Sequence, residues 1–191
     1  MRSGTVTVDA DKTAALMDRI ADDVCSAVVM RNPRTTDSSI FQMLTLLVLL
    51  GILNYAAYIL SSLVQLQLFK AISHIIIPVF PLIGCCAVAV FTYISAVTYA
   101  SYLGDAKRTV HDMYIVLLGS VFLPLAIFVA NISGYYILCY ALVGLFSDVY
   151  CRKALTAGRI FENAKQKGYF VFVSLLMNLG FYIIIFPLFF P

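Results

Sequence analysis

The sequence predicts an all-α, polytopic membrane protein: five transmembrane helices preceded by a short N-terminal amphipathic helix on the cytoplasmic side. Three observations carry that prediction. The chain of 191 residues is 62% hydrophobic and only 12% charged, with a mean hydropathy of +0.94, whereas a soluble domain is about half apolar and about a quarter charged. Its apolar residues gather in five runs, each near the ~20 residues that cross a bilayer. Its 13 Lys and Arg fall almost wholly into alternate segments between those runs, and Lys and Arg are retained on the cytoplasmic side.

The division is a cytoplasmic segment over 1–39 and a membrane domain over 40–191. From Asp11 to about Met30, Leu16, Ile20, Val24 and Ala27 recur at near-helical spacing. Asp18, Arg19, Asp22 and Asp23 fall largely opposite, so an amphipathic helix is expected. It is not basic enough for an electrostatic lipid anchor, and packing against the cytoplasmic ends of the spans is the plainer role. Asn32-Pro33 ends it. The first 39 residues are polar, so no cleavable signal peptide is expected and the first span serves as the membrane signal.

The spans are expected at about 40–63, 81–103, 113–132, 134–150 and 169–190. Pro78 and Pro81 predict an irregular start to the second, with the helix proper beginning near Pro81. Thr92, Ala96, Ala100 and Gly104 recur every four residues on it, a small-residue seam suited to close packing in lipid, within the chain or against a partner. Pro124 interrupts the third span, and Asn131-Ile132-Ser133-Gly134 turns the chain into the fourth. The fourth is short and is expected to run on as helix into the basic stretch Cys151–Gly168. That stretch holds Arg152, Lys153, Arg159, Lys165 and Lys167, a candidate cytoplasmic contact for a partner or for anionic lipid. The N-terminal segment and the loops after spans 2 and 4 together hold 12 Lys and Arg, against Lys70 alone on the other side. This asymmetry predicts a cytoplasmic N-terminus and a C-terminus on the lumenal or external side.

The spans are expected to lack Asp, Glu, Lys and Arg, which leaves no intramembrane charge to mark a transport path or a protease. Asp148 lies at the cytoplasmic end of span 4, where Arg152 is its i+4 partner. Asn54, Thr92, Ser95, Ser120 and Asn178 are the polar residues within spans, and such groups bond neighbouring helices or backbone. His74 and His111 fall on opposite faces of the membrane, and the cysteines at 25, 85, 86, 139 and 151 show no metal spacing. No disulfide is expected. Cys151, beside Arg152 at the membrane edge, is a candidate for reversible lipidation. No catalytic set, cofactor, metal or nucleic-acid partner is expected. The partner that is expected is the bilayer.

Leu118-Gly119-Ser120-Val121-Phe122-Leu123-Pro124-Leu125 resembles the Leu-Gly-Tyr-x-Leu-Leu-Pro-Leu run in the third span of the Yip/Yif family, the Rab-interacting five-span proteins of the early secretory pathway. Ser120 stands where that family has Tyr. Gly134-Tyr135-Tyr136 through Arg152-Lys153-Ala154-Leu155 is similar to the Yif branch, where a Gly-Tyr-Tyr turn leads into a span ending in a basic segment. The resemblance covers about residues 90–190. Before span 1, Asp37-Ser38-Ser39-Ile40 keeps only the Asp of the family's Asp-Leu-Tyr. The resemblance implies a non-enzymatic factor of the endoplasmic reticulum and Golgi. It implies pairing with another five-span protein and engagement of Rab GTPases in vesicle transport. The alternative is an accessory subunit of a larger membrane complex, and a small transporter is the weakest reading.

Overall fold

The computed structural model describes residues 10–32, 39–76, 79–103, 109–157 and 164–188, and regular structure among them is helical throughout. The helices are α1 (Ala10–Val28), α2 (Ile40–Val64), α3 (Leu68–Ile76), α4 (Val79–Leu103), α5 (Thr109–Gly119), α6 (Leu123–Ser133), α7 (Tyr136–Leu155) and α8 (Ala164–Gly180). Beyond Gly180, α8 continues as a π-helical turn, Phe181–Ile185, and a 3-10 turn, Phe186–Leu188. Among the described residues four stretches are long and apolar enough to cross a membrane: Ile40–Val64, Leu82–Tyr102, Val110–Ser133 and Lys165–Leu188. α7 is not one of the four, because Asp148, Arg152 and Lys153 crowd its C-terminal third.

The α5–α6 stretch is the centre of the bundle. It is 56% buried, against 28%, 39% and 28% for the other three long apolar stretches. α2 and α7 flank α6, while α4, α7 and α2 pack on α5, and α8 closes on α7. The break between α5 and α6 has a local cause. Pro124 has no N–H and its ring displaces the carbonyl four residues back, that of Ser120. The chain answers with tighter bonds: Ser120 N to Leu117 O at 2.9 Å, Val121 N to Leu118 O at 3.3 Å and Leu123 N to Ser120 O at 2.9 Å.

The helix ends follow from local chemistry. Ser39 and Gln42 form a capping box on α2: Ser39 N–H donates to Gln42 Oε1 at 2.9 Å, and Gln42 N–H to Ser39 Oγ at 3.2 Å. α1 and α2 both finish in a left-handed residue that is not glycine, Met30 (φ 57°) and Leu66 (φ 58°). Beyond each, a backbone N–H reaches back five residues, Arg31 to Ser26 O at 2.7 Å and Gln67 to Ser62 O at 2.9 Å, which satisfies carbonyls the helix would otherwise leave open. α6 ends at Gly134 (φ 76°), whose N–H donates to Ala130 O. The turn into α7 uses the one residue type that adopts this backbone without cost.

Two expectations change. The stretch before Pro81 is not merely irregular, since Leu68–Ile76 forms its own helix, α3. Asp23 does not lie on the solvent face of α1. It is 1% exposed, with Ile20 and Ala27 also buried, and Tyr114 on α5 donates its OH to Asp23 Oδ2 at 2.8 Å. Spacing alone put Asp23 with the other acids, but a buried tyrosine hydroxyl supplies the partner that makes its burial tolerable. Lys153 is exposed, and its Nζ donates to Met30 O at 2.5 Å, tying the end of α7 to the end of α1.

Candidate functional site

A set of buried polar side chains converges between α7, α8 and α4. α7 presents two lines of residues four apart, Ser147 with Cys151 and Asp148 with Arg152. α8 presents a facing pair at the same spacing, Ser174 and Asn178, and α4 supplies Tyr99. Residues four apart share a helix face, so each pair lies along one side of its helix. Tyr99, Ser147, Asp148, Cys151, Ser174 and Asn178 are all at most 1% exposed.

The hydrogen bonds run in one direction. Arg152 Nη2 bonds Asp148 Oδ2 at 2.5 Å. Ser174 Oγ donates to the other carboxylate oxygen, Asp148 Oδ1. With its proton there, Ser174 accepts from Tyr99 OH, 3.2 Å away. Tyr99 OH in turn accepts from Asn178 Nδ2 at 3.1 Å, and Asn178 Oδ1 accepts from Ser147 Oγ at 3.0 Å. Tyr99 and Ser174 thus each donate once and accept once along this chain, and aligned donors strengthen one another in a low-dielectric interior. Cys151 Sγ lies 3.9 Å from both Ser147 Oγ and Ile115 O on α5.

The neighbouring backbone is shaped to this cluster. A Cβ on Gly119 would stand 2.7 Å from Ser147 Oγ and 3.1 Å from Cys151 Sγ, and one on Gly144 would stand 3.1 Å from Leu179 Cδ2. These two glycines let α5 and α8 approach α7 closely. One turn on, Ser120 Oγ and Tyr182 OH lie 2.6 Å apart, so the Pro124 break in the central span meets the π-helical turn of α8. Phe91 of α4 stacks on Phe181 there, ring centroids 3.9 Å apart. A separate link joins the opposite end: Asn131 Nδ2 donates to Ser61 Oγ at 3.1 Å, and Gln65 Nε2 to Asn131 O.

Chemically the cluster holds helices. Its carboxylate faces a guanidinium and a serine, and its serines bond acceptors of their own, without an imidazole to activate either. Among the described residues no group of three or more His, Cys, Asp and Glu could hold a metal ion.

No protein-family model, curated protein or solved structure matches this chain.

Of the residues singled out from sequence, Thr92, Ala96 and Ala100 are buried at 1%, 0% and 8%, so the seam faces the interior of this one chain; Gly104 lies outside the described residues. Arg152 is turned inward onto Asp148, while Lys153, which also bonds Met30 O, Lys165 and Lys167 are exposed. Arg159 lies outside the described residues. Cys151 is a correction: it is 0% exposed, packed behind Gly119 and Ser147, and is not presented at the membrane edge for lipidation. The arc of α7 that it occupies faces α5, which a count along the chain does not reveal. Asp148 is itself buried, with an exposure of 0%. The i+4 partner was legible. Tyr99, Ser147 and Ser174 were missed, although two polar pairs at i, i+4 on successive apolar helices were a usable signal.

Proposed function

We propose that the chain is a five-span membrane protein that acts by association, as a non-enzymatic factor of transport between endoplasmic reticulum and Golgi. In this reading α7 is the fifth span, the amphipathic α1 and the basic segment after α7 are cytoplasmic, and the C-terminus is lumenal. The protein pairs with a related five-span protein and engages Rab GTPases from the cytoplasmic side. The observation that carries it is the charge distribution, 12 Lys and Arg in alternate segments against one, read with the family-like residues Leu118–Leu125 and Gly134-Tyr135-Tyr136. The polar cluster is consistent with it, because Tyr99, Ser147, Asp148, Ser174 and Asn178 bond one another. Bonding both oxygens of Asp148, one to Arg152 and one to Ser174, near a span's cytoplasmic end also lets α7 cross despite its charges.

Affinity purification from native membranes should recover a second five-span protein and a Rab, and recovering neither would refute this reading. Mitochondrial localisation of a tagged chain would do the same. A glycosylation acceptor fused after Pro191 should be modified, and an unmodified acceptor would refute five spans with this orientation.

A second reading, an accessory subunit of a larger membrane complex, is favoured by an apolar groove of about 570 Å³ between α4 and α8, lined by Ile83, Val90, Ile94, Leu176, Phe181 and Ile185 among others. Partner side chains would fit there. A stable stoichiometric assembly on native gels, with no Rab, would select it.

A further inference from the structure

The connection from α2 to α4 passes through a helix that cannot itself cross a membrane. α3 (Leu68–Ile76) has 9 residues, about 14 Å of helix, where a crossing takes ~20 residues. The helices on either side of it, α2 and α4, each hold a stretch long and apolar enough to cross. A chain that leaves the bilayer at the end of α2 and re-enters with α4 therefore keeps α3 at that surface. Phe41, at the start of α2, lies against α1, so α3, at the other end of α2, belongs to the opposite surface.

α3 is strongly amphipathic. Leu68, Ile72 and Ile75 fall within about 60° of arc on it, and they are 58%, 54% and 57% exposed. Lys70, Ser73 and His74 fall at positions on the other side of the helix. The helix is already packed: it lies against α2, and Ala71 is 1% exposed. The apolar stripe is therefore the face left over after packing. It continues without a polar break into Val64 and Leu66, which are 59% and 84% exposed at the end of α2. Five apolar residues are far fewer than the ~20–30 a side of a stable protein interface, whereas lipid sets no such minimum.

We infer that α3 is an interfacial helix. It lies in the leaflet remote from α1, with Leu68, Ile72 and Ile75 sunk about 5–10 Å into the boundary of headgroups and acyl chains. In that place it fixes the depth of the α2–α4 hairpin in the bilayer. The inference rests on α2 and α4 crossing the membrane, which is part of the five-span reading, and is independent of any Rab or compartment.

The full chain has no Trp, so single Trp reporters are read without background. Ile72→Trp places one on α3, and Trp is at home at the interface. Ile52→Trp places another mid-way along α2, at a side chain 59% exposed. Each variant is reconstituted into phosphatidylcholine vesicles, and its fluorescence is quenched by lipid brominated near the headgroup, by lipid brominated deep in the chains, or by aqueous iodide. Ile72→Trp should be quenched more by the shallow label than by the deep one and should be shielded from iodide. Ile52→Trp should show the deep label as the stronger. Adding Leu68→Asp/Ile75→Asp should cost Ile72→Trp about half of its shallow quenching, since the apolar stripe sets the depth, and move its emission to longer wavelength. Unaltered helicity by circular dichroism and unchanged deep quenching of Ile52→Trp carrying the same two Asp establish that the bundle is intact. Iodide quenching of Ile72→Trp equal to that of a free tryptophan amide overturns the inference, because α3 is then in water. Shielding from both iodide and lipid overturns it in favour of a protein cover, such as a second copy. Undiminished lipid quenching in the Asp variant overturns the role of the stripe. Loss of lipid quenching at Ile52→Trp instead refutes α2 as a span, and the five-span reading falls with it.

Discussion

Replacing Arg152 by Met tests whether the Asp148 pair is the keystone of the α4–α7–α8 contact. The two charges are 2.5 Å apart, with Asp148 0% and Arg152 27% exposed in their side chains. At an effective dielectric of ~20 their attraction is about 7 kcal/mol, but each ion loses several kcal/mol of hydration on burial, which brings the pair as a whole near zero. Removing one partner is a different matter. Arg152→Met keeps the aliphatic bulk and leaves a carboxylate held only by Ser174, at a cost of about 3–5 kcal/mol. Asp148→Asn should cost less, about 1–3 kcal/mol, because the freed guanidinium reaches solvent. In Asp148→Asn/Arg152→Met neither charge remains, and stability should return to within about 1 kcal/mol of the parent. The chain has no Trp, so unfolding in mixed micelles with increasing SDS is followed by far-ultraviolet circular dichroism. Parent-like stability of Arg152→Met, or a double variant as unstable as the sum of the singles, would refute the argument.

Other outcomes follow from the same packing. Gly119→Ala places a methyl 2.7 Å from Ser147 Oγ and 3.3 Å from Ser147 Cα and should destabilise by about 1–3 kcal/mol; Gly168→Ala, with nothing within 4 Å, should be neutral or slightly stabilising in the same titration. Gly134→Ala forces an L residue to φ 76°, costing about 1–2 kcal/mol. Tyr182→Phe leaves Ser120 without its partner across the helix break and should cost about 1 kcal/mol, with Ser120→Ala/Tyr182→Phe no worse than the single change. A maleimide probe on the folded protein should label Cys25, which is exposed, and spare Cys151, which is buried; labelling of both at equal rates would contradict the packing of α7 on α5.

Composition and spacing determined the class of this protein. Apolar runs must be helices in lipid, because a helix is the one open-chain structure that satisfies its own backbone, and so the apolar stretches, the Pro124 interruption, the Gly134 turn and the helical continuation of α7 through Leu155 could all be read in one dimension. The Asp148–Arg152 pair could be read too, because four residues is one turn. What the tertiary structure decided is which arc of each helix faces which neighbour. Apolar residues surround these helices on every side, for a membrane-spanning helix has no polar face to betray its orientation. Hence the burial of Cys151, the inward turn of Arg152, and the joining of Tyr99 to Ser174 and Asn178 across 75 and 79 positions of chain emerged only once the helices were packed. The polar groups found one another because, away from water, the alternative to a partner on the next helix is an unsatisfied donor or acceptor.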